Sequence, residues 1–72
     1  ADIIGRTYAI TATASTIRVE TGRHVVVGAE PATVTDAATR ALDLDPIAAR
    51  LLLTAIRTTV DAAHRRSIAR AA

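Results

Sequence analysis

The stretch "TIRVETGRHVVV", residues 16–27, decides the sheet of this protein. Two β-branched runs flank Thr21-Gly22, and this pattern predicts a hairpin of strands 16–20 and 23–27, because glycine supplies the positive φ that a two-residue loop needs. The expected register sets the cross-strand neighbours. It places Glu20 opposite Arg23, Val19 opposite His24 and Ile17 opposite Val26.

The second strand of this hairpin is apolar on both faces near its end. Val26 shares a face with Ile17 and Val19, whereas Val25 and Val27 share the other face with charged residues of the first strand. Either this strand is central in the sheet, or something covers its second face.

Upstream, "IIGRTYAITA" over residues 3–12 alternates loosely, with Ile4, Tyr8 and Ile10 on one side. The β-branched content and the alternation predict a first strand. With the hairpin, this segment gives a three-stranded antiparallel β-meander.

Downstream, Gly28 and Pro31 interrupt the strand pattern. A short helix is predicted over residues 35–42, with Thr33 or Thr35 as the N-cap and Asp36 in the first turn. Asp45-Pro46 predicts the start of a long C-terminal helix over residues 46–70, with aspartate as the N-cap and proline at the first helical position. The expected fold class is α+β, as one small domain over residues 1–72.

Composition bounds what this domain can do alone. The chain of 72 residues has no cysteine, and its large aliphatic side chains are seven Ile, six Val and five Leu. So thin a core supplies only a few kcal/mol of net stability, and self-association is a common remedy. The apolar window 47–56 is far shorter than the ~20 residues of a membrane span, so a cytoplasmic protein with no membrane partner is expected.

The long helix, drawn as a wheel of 100° steps, has one polar stripe and two apolar stripes. The polar stripe includes Arg50, Thr54 and Arg57. One apolar stripe contains Leu53, Ile56 and Val60, and the other contains Leu51 and Leu52. One stripe can pack on the sheet, although the wheel does not say which, and the short helix covers only part of the other. The apolar surface that remains is expected to contact a second copy in a homodimer or higher oligomer. The expected oligomer-interface residues are Ala48, Leu51, Leu52, Ala55 and Ala62.

Charge is unevenly distributed. Residues 1–45 carry four arginines against six acidic residues, and residues 46–72 carry five arginines against one. A basic helix is a hint of an anionic partner, and phosphate contacts with nucleic acid are its most concrete form. The alternative is that the arginines complement the helix macrodipole and keep an apolar helix soluble, with Asp61 and Arg65 as an ordinary i,i+4 pair. The candidate phosphate-contacting residues are Arg50, Arg57, Arg65, Arg66 and Arg70.

Residues 35–52 resemble a helix-turn-helix, the DNA-binding supersecondary motif. Small or hydrophobic residues fall at its packing positions, which are Ala38, Leu42, Leu44, Ala49 and Leu52. The chain departs from the motif at the turn, where Asp43 stands in place of the usual glycine. The resemblance implies a recognition face of Ile47, Arg50, Leu51 and Thr54, of which two are aliphatic and cannot read base edges.

Catalytic signatures are absent from the sequence. Ser15 and Ser67 lie in no nucleophile motif, and Asp61 with His64 gives only two ligands for a metal, so no catalytic residue, metal or cofactor is expected. We therefore expect a small non-enzymatic, self-associating module, most concretely a dimeric nucleic-acid-binding regulatory protein. Two alternatives are a structural or protein-binding assembly subunit and a small oligomeric enzyme with a site at the subunit interface that uses His24 and Tyr8.

Overall fold

The computed structural model describes the backbone of residues 1–71 and the side chains of residues 1–69. Five strands precede two helices, which confirms the α+β prediction of a three-stranded antiparallel sheet followed by a short and a long helix. The elements are β1 (Asp2–Ile3), β2 (Arg6–Thr7), β3 (Ala9–Ala12), β4 (Ile17–Thr21), β5 (His24–Gly28), α1 (Pro31–Leu42) and α2 (Pro46–Ala71). Sheet order is β3-β4-β5, and β1 pairs with β2 separately.

The predicted strand over residues 3–12 is divided in the structure. A two-residue turn at Ile4-Gly5 folds β1 back on β2, and only β3 continues into the main sheet. Ile3 rather than Ile4 enters the core, together with Tyr8. Both turn residues have positive φ, 47° at Ile4 and 76° at Gly5, as a type I′ hairpin requires.

Ile4 is under backbone strain, because a β-branched residue rarely adopts positive φ. Its side chain is 63% exposed and so returns little burial energy. Ile4→Asn creates the Asn-Gly dipeptide that type I′ turns favour, and we expect it to raise the free energy of unfolding by about 1 kcal/mol. Urea denaturation followed by circular dichroism measures this. The matched control is Ile47→Asn, at an exposed isoleucine in right-handed helix, which should not stabilise; equal stabilisation by both variants would contradict the strain.

The β4–β5 hairpin forms, but its register differs from the prediction by two residues. Thr21 pairs with His24 and Val19 with Val26, so the loop is Gly22-Arg23 rather than Thr21-Gly22. Gly22 has a φ of 54° and takes the first loop position. Because a shift of two residues preserves faces, Ile17 and Val19 still point into the core as predicted.

Helix α1 begins at Pro31, four residues before the predicted start. Glu30 is the N-cap residue without a side-chain cap, and Pro31 occupies the first turn. Proline is favoured there because its missing N–H is not needed, so Pro31 starts the helix rather than only ending the strand. Thr35 is buried inside the helix and donates a hydrogen bond from its hydroxyl to the Pro31 carbonyl, 2.8 Å away.

Helix α2 begins as predicted. The Asp45 carboxylate accepts a hydrogen bond from the Ala48 N–H at 2.8 Å, which is the expected N-cap. Asp43, the C-cap of α1, has φ 53° and ψ 51°, a left-handed conformation that aspartate tolerates in the short turn between the helices. The core lies between the sheet and both helices. Its buried apolar residues are Ile3, Tyr8, Ile17, Val19, Val34, Ala38, Ala48, Leu52 and Ile56.

Candidate nucleic-acid interface on the long helix

Helix α2 runs the whole length of the molecule. Its 26 residues correspond to about 39 Å at a rise of 1.5 Å per residue, and the longest dimension of the described structure is 41 Å. Its last fully buried residue is Ile56, Val60 and Ala63 are half-buried, and residues 64–69 are all exposed. The first half of α2 therefore belongs to the core, and the second half presents its side chains to solvent.

Three of the predicted phosphate-contacting residues share one exposed face. Arg50, Arg57 and Arg65 are exposed and lie within a sector of roughly 80° on the helical wheel, nearly opposite Leu52. Along the helix axis, the Cα atoms of Arg50 and Arg57 are about 10 Å apart and those of Arg57 and Arg65 about 12 Å apart. We call these three residues the arginine face.

Arg66, a further predicted contact, is not part of this face. Arg66 is exposed, but it lies on the same side of α2 as the buried core residues of that helix. There it lines a groove between α2 and the β3–β4 turn. The side chain of Arg70 falls outside the described residues. The arginine face therefore contains three of the five predicted contacts, and Arg66 lies on a different side of α2.

None of the three residues of the arginine face forms an ion pair with a side chain of residues 1–69. Asp61 is four residues from both Arg57 and Arg65, yet among the side chains of residues 1–69 the one ion pair is Arg18–Glu20 at 3.4 Å. The expected Asp61–Arg65 pair is therefore not formed. Because these guanidinium groups are solvated and unpaired, their donors are available to an anion without breaking a protein contact.

The groove beside Arg66 brings Asp61 and His64 near the β3–β4 turn. It is open to solvent and has a volume of about 710 Å³; it is lined by Ala12, Thr13, Ala14, Val60, Asp61, Ala63, His64, Arg66 and Ser67. No third metal-ligating side chain joins Asp61 and His64, and the described residues contain no group of three or more that could hold a metal ion.

The residues predicted for the oligomer interface separate into two groups. Leu52 and Ala48 are buried against the sheet and α1, so the folded chain itself covers them. Ala55 is half-buried, while Leu51 and Ala62 are exposed. Contact with a second copy through this stripe stays a prediction for Leu51, Ala55 and Ala62, whose side chains keep exposed surface.

The helix-turn-helix resemblance extends to packing but not to base reading. Ala38 and Leu52 are buried, and Leu42, Leu44 and Ala49 are half-buried, so the motif's packing positions all face inward. The outward face of the second helix exposes Ile47 and Leu51 beside Arg50. Aliphatic side chains offer no hydrogen bonds to base edges, so this face suits phosphates better than bases.

A second groove, which the sequence did not reveal, lies between two hairpin tips. It has a volume of about 530 Å³ and is lined by Gly5, Arg6, Thr7, Thr21, Gly22, Arg23, His24 and Leu42. It depends on the β1–β2 hairpin, whose turn was hidden inside the predicted first strand. Gly5, which stands between Ile4 and Arg6 inside the predicted strand, was the signal that could have indicated the turn.

The length and hydropathy of a helix decide whether it can cross a membrane. Among the described residues, neither helix combines the length and the apolar character that crossing a bilayer requires. The sidedness of α2, with one face in the core and one carrying arginines, is that of a helix packed on a domain.

Comparisons with known proteins identify no relative. No family model matches the chain, and no curated protein or solved structure matches it either. Function is therefore inferred from the geometry and chemistry of the residues above.

Proposed function

We propose that the protein is a small non-enzymatic, self-associating module that binds nucleic acid in the cytoplasm through the phosphate backbone, with Arg50, Arg57 and Arg65 as the main contacts. The observation that carries this proposal is the arginine face itself: three exposed guanidinium groups without an ion-pair partner among the described side chains. Phosphate contacts supply most of the affinity in sequence-independent binding, so three such groups are sufficient for a weak, salt-sensitive interaction.

The spacing of the arginine face supports contact across a groove. The intervals of about 10 Å and about 12 Å along the helix are close to the ≈ 12 Å width of the major groove of B-DNA. A helix lying across that groove can place successive arginines on phosphates of opposite edges. Since Ile47 and Leu51 flank Arg50, little discrimination between base sequences is expected.

Salt dependence tests the proposal directly. On duplex DNA the three phosphate contacts of one chain give a slope of about −2.7 in a plot of log K against log salt, so raising salt from about 50 to about 200 mM should weaken the binding of one chain roughly 40-fold. The double variant Arg57→Gln, Arg65→Gln should lower the steepness of that slope by about 1.8, because two contacts are removed. Fluorescence anisotropy with a labelled duplex DNA and a single-stranded RNA measures both quantities.

The matched control removes the same charge elsewhere. Arg6→Gln with Arg40→Gln changes two exposed arginines on β2 and α1 and should leave the slope close to that of the wild type. If this control weakens binding as much as the test variant does, net charge rather than the arginine face is responsible. If the wild type binds neither DNA nor RNA at 50 mM salt, the proposal fails and the structural or protein-binding subunit becomes the better function.

A further inference from the structure

Strand β5 is an unprotected edge of the main sheet. It pairs with β4 on one side, and no other strand of residues 1–71 pairs with it. Its sequence, His24-Val25-Val26-Val27-Gly28, contains no Lys, Arg, Asp, Glu or Pro. Natural edge strands are commonly blunted by such residues, by bulges or by covering elements, because a free edge is a template for another strand.

The free backbone groups of β5 belong to two residues. In a two-residue hairpin the pair that closes the loop is hydrogen-bonded, and hydrogen-bonded pairs then alternate along the ladder. Thr21↔His24 closes the loop, so His24, Val26 and Gly28 bond to β4. The N–H and C=O groups of Val25 and Val27 therefore point away from the sheet.

The same two valines are exposed on the outer face of the sheet, Val25 at 49% and Val27 at 59%. Helix α1 packs on the opposite face, where Val34 reaches Gly28. The sequence allowed two explanations for a strand that is apolar on both faces: a central position in a sheet, or a cover over its second face. Within one chain β5 is at the edge of the sheet and its second face is exposed. A strand paired with the free edge would give β5 the central position.

We propose that β5 pairs antiparallel with β5 of a second copy about a two-fold axis at Val26, which joins two three-stranded sheets into one of six strands. In this register Val25 lies opposite the partner's Val27 and forms a hydrogen-bonded pair with it, and the symmetric pair completes four backbone hydrogen bonds. The exposed valines of both copies then form one continuous row on the outer face.

The strand's own sequence favours a second copy as the occupant. Val25 and Val27 are equidistant from Val26, so each outward N–H and C=O meets a matching group after rotation by 180°. The charges at the two ends also complement each other. Arg23 lies opposite the partner's Ala29, next to the partner's Glu30, and symmetry creates this attractive pairing twice.

The inference gives the self-association in the proposed function a location, on β5 rather than on α2. It does not depend on nucleic acid, since none of the arginine face lies on β5. Loss of dimerisation with retained nucleic-acid binding, or the reverse, therefore identifies which of the two proposals has failed.

Molecular mass as a function of concentration tests the pairing. In sedimentation equilibrium the wild type should approach twice the 7.5 kDa chain mass as its concentration rises. The double variant Val25→Lys, Val27→Lys should remain at the single-chain mass, because lysines would oppose lysines across the axis. The matched control Thr11→Lys, at an exposed position on the outer face of β3, should dimerise like the wild type.

A second variant and a direct probe guard against misfolding. Val27→Pro removes one outward N–H and none of the β4–β5 hydrogen bonds, so it should keep the circular dichroism spectrum and lose the dimer. In the wild type, hydrogen exchange at the Val25 and Val27 amides should slow as protein concentration rises. Each of four results would overturn the proposal: a strictly monomeric wild type, a dimer that survives both variants, exchange at these amides that does not depend on concentration, or open-ended oligomers, which would indicate β5–β3 pairing.

Discussion

Truncating Leu52 to alanine should lower the free energy of unfolding by about 2 to 5 kcal/mol. Leu52 has 0% of its surface exposed and lies in the core formed by the sheet, α1 and α2. In a chain of 72 residues a single core rarely supplies more than about 3 to 5 kcal/mol of net stability, so this single truncation should remove most of it. Urea denaturation followed by far-ultraviolet circular dichroism measures the loss.

Leu51→Ala is the matched control, since it makes the same chemical change one residue away. Leu51 is 45% exposed, and its truncation should cost less than about 1 kcal/mol. Both variants are measured at one protein concentration, because dimerisation would add a concentration-dependent contribution. Equal losses at both positions would mean that the two leucines are equally buried in solution, contrary to the structure.

The contrast between these leucines shows what a helical wheel can and cannot predict. The wheel correctly predicted Arg50, Thr54 and Arg57 as the exposed side of α2. It also separated two apolar stripes, one with Leu52 and one with Ile56, and in the structure both residues are fully buried. A wheel gives only the relative angles of the residues within one helix. The position of the sheet decides which arc of the helix is covered, and here that arc includes the adjoining edges of both stripes.

The hairpin shows a similar division between faces and register. The alternation of Ile17, Arg18 and Val19 determines which side chains point inward, and that prediction is confirmed. The register could not be read from the sequence, because Gly22 can occupy either central position of a two-residue loop. The structure places Gly22 first, which moves every pair by two residues and leaves the faces unchanged.

The functional surfaces were predictable only where they depend on local sequence. Exposure of the arginine face follows from the spacing of residues along α2. The edge position of β5 depends on strand order. The groove between the two hairpin tips depends on a turn in which Ile4 adopts positive φ. Isoleucine disfavours that conformation, so of the two turn residues only Gly5 gives a sequence signal for the turn.

Gly28→Ala should destabilise the protein by about 1 to 3 kcal/mol, although its backbone conformation suits alanine. Gly28 ends β5 where α1 crosses the sheet, and an added Cβ would lie 2.8 Å from Cγ2 of Val34. Val34 is 1% exposed and is β-branched within a helix, so its χ1 cannot rotate readily to make room. The expected loss of stability therefore comes from steric overpacking at the contact between β5 and α1.

Val34→Ala supplies the background that isolates this clash. It removes Cγ2 and costs stability itself, since a buried valine is truncated. In that background Gly28→Ala should become neutral or stabilising by up to about 1 kcal/mol, because alanine loses less conformational entropy than glycine in a strand. A double-mutant cycle of urea denaturations should then give a favourable coupling of about 1 to 4 kcal/mol between the two substitutions. Strict additivity would show that the sheet and α1 separate easily at this contact, and that the spacing of α1 over β5 is not fixed by Val34.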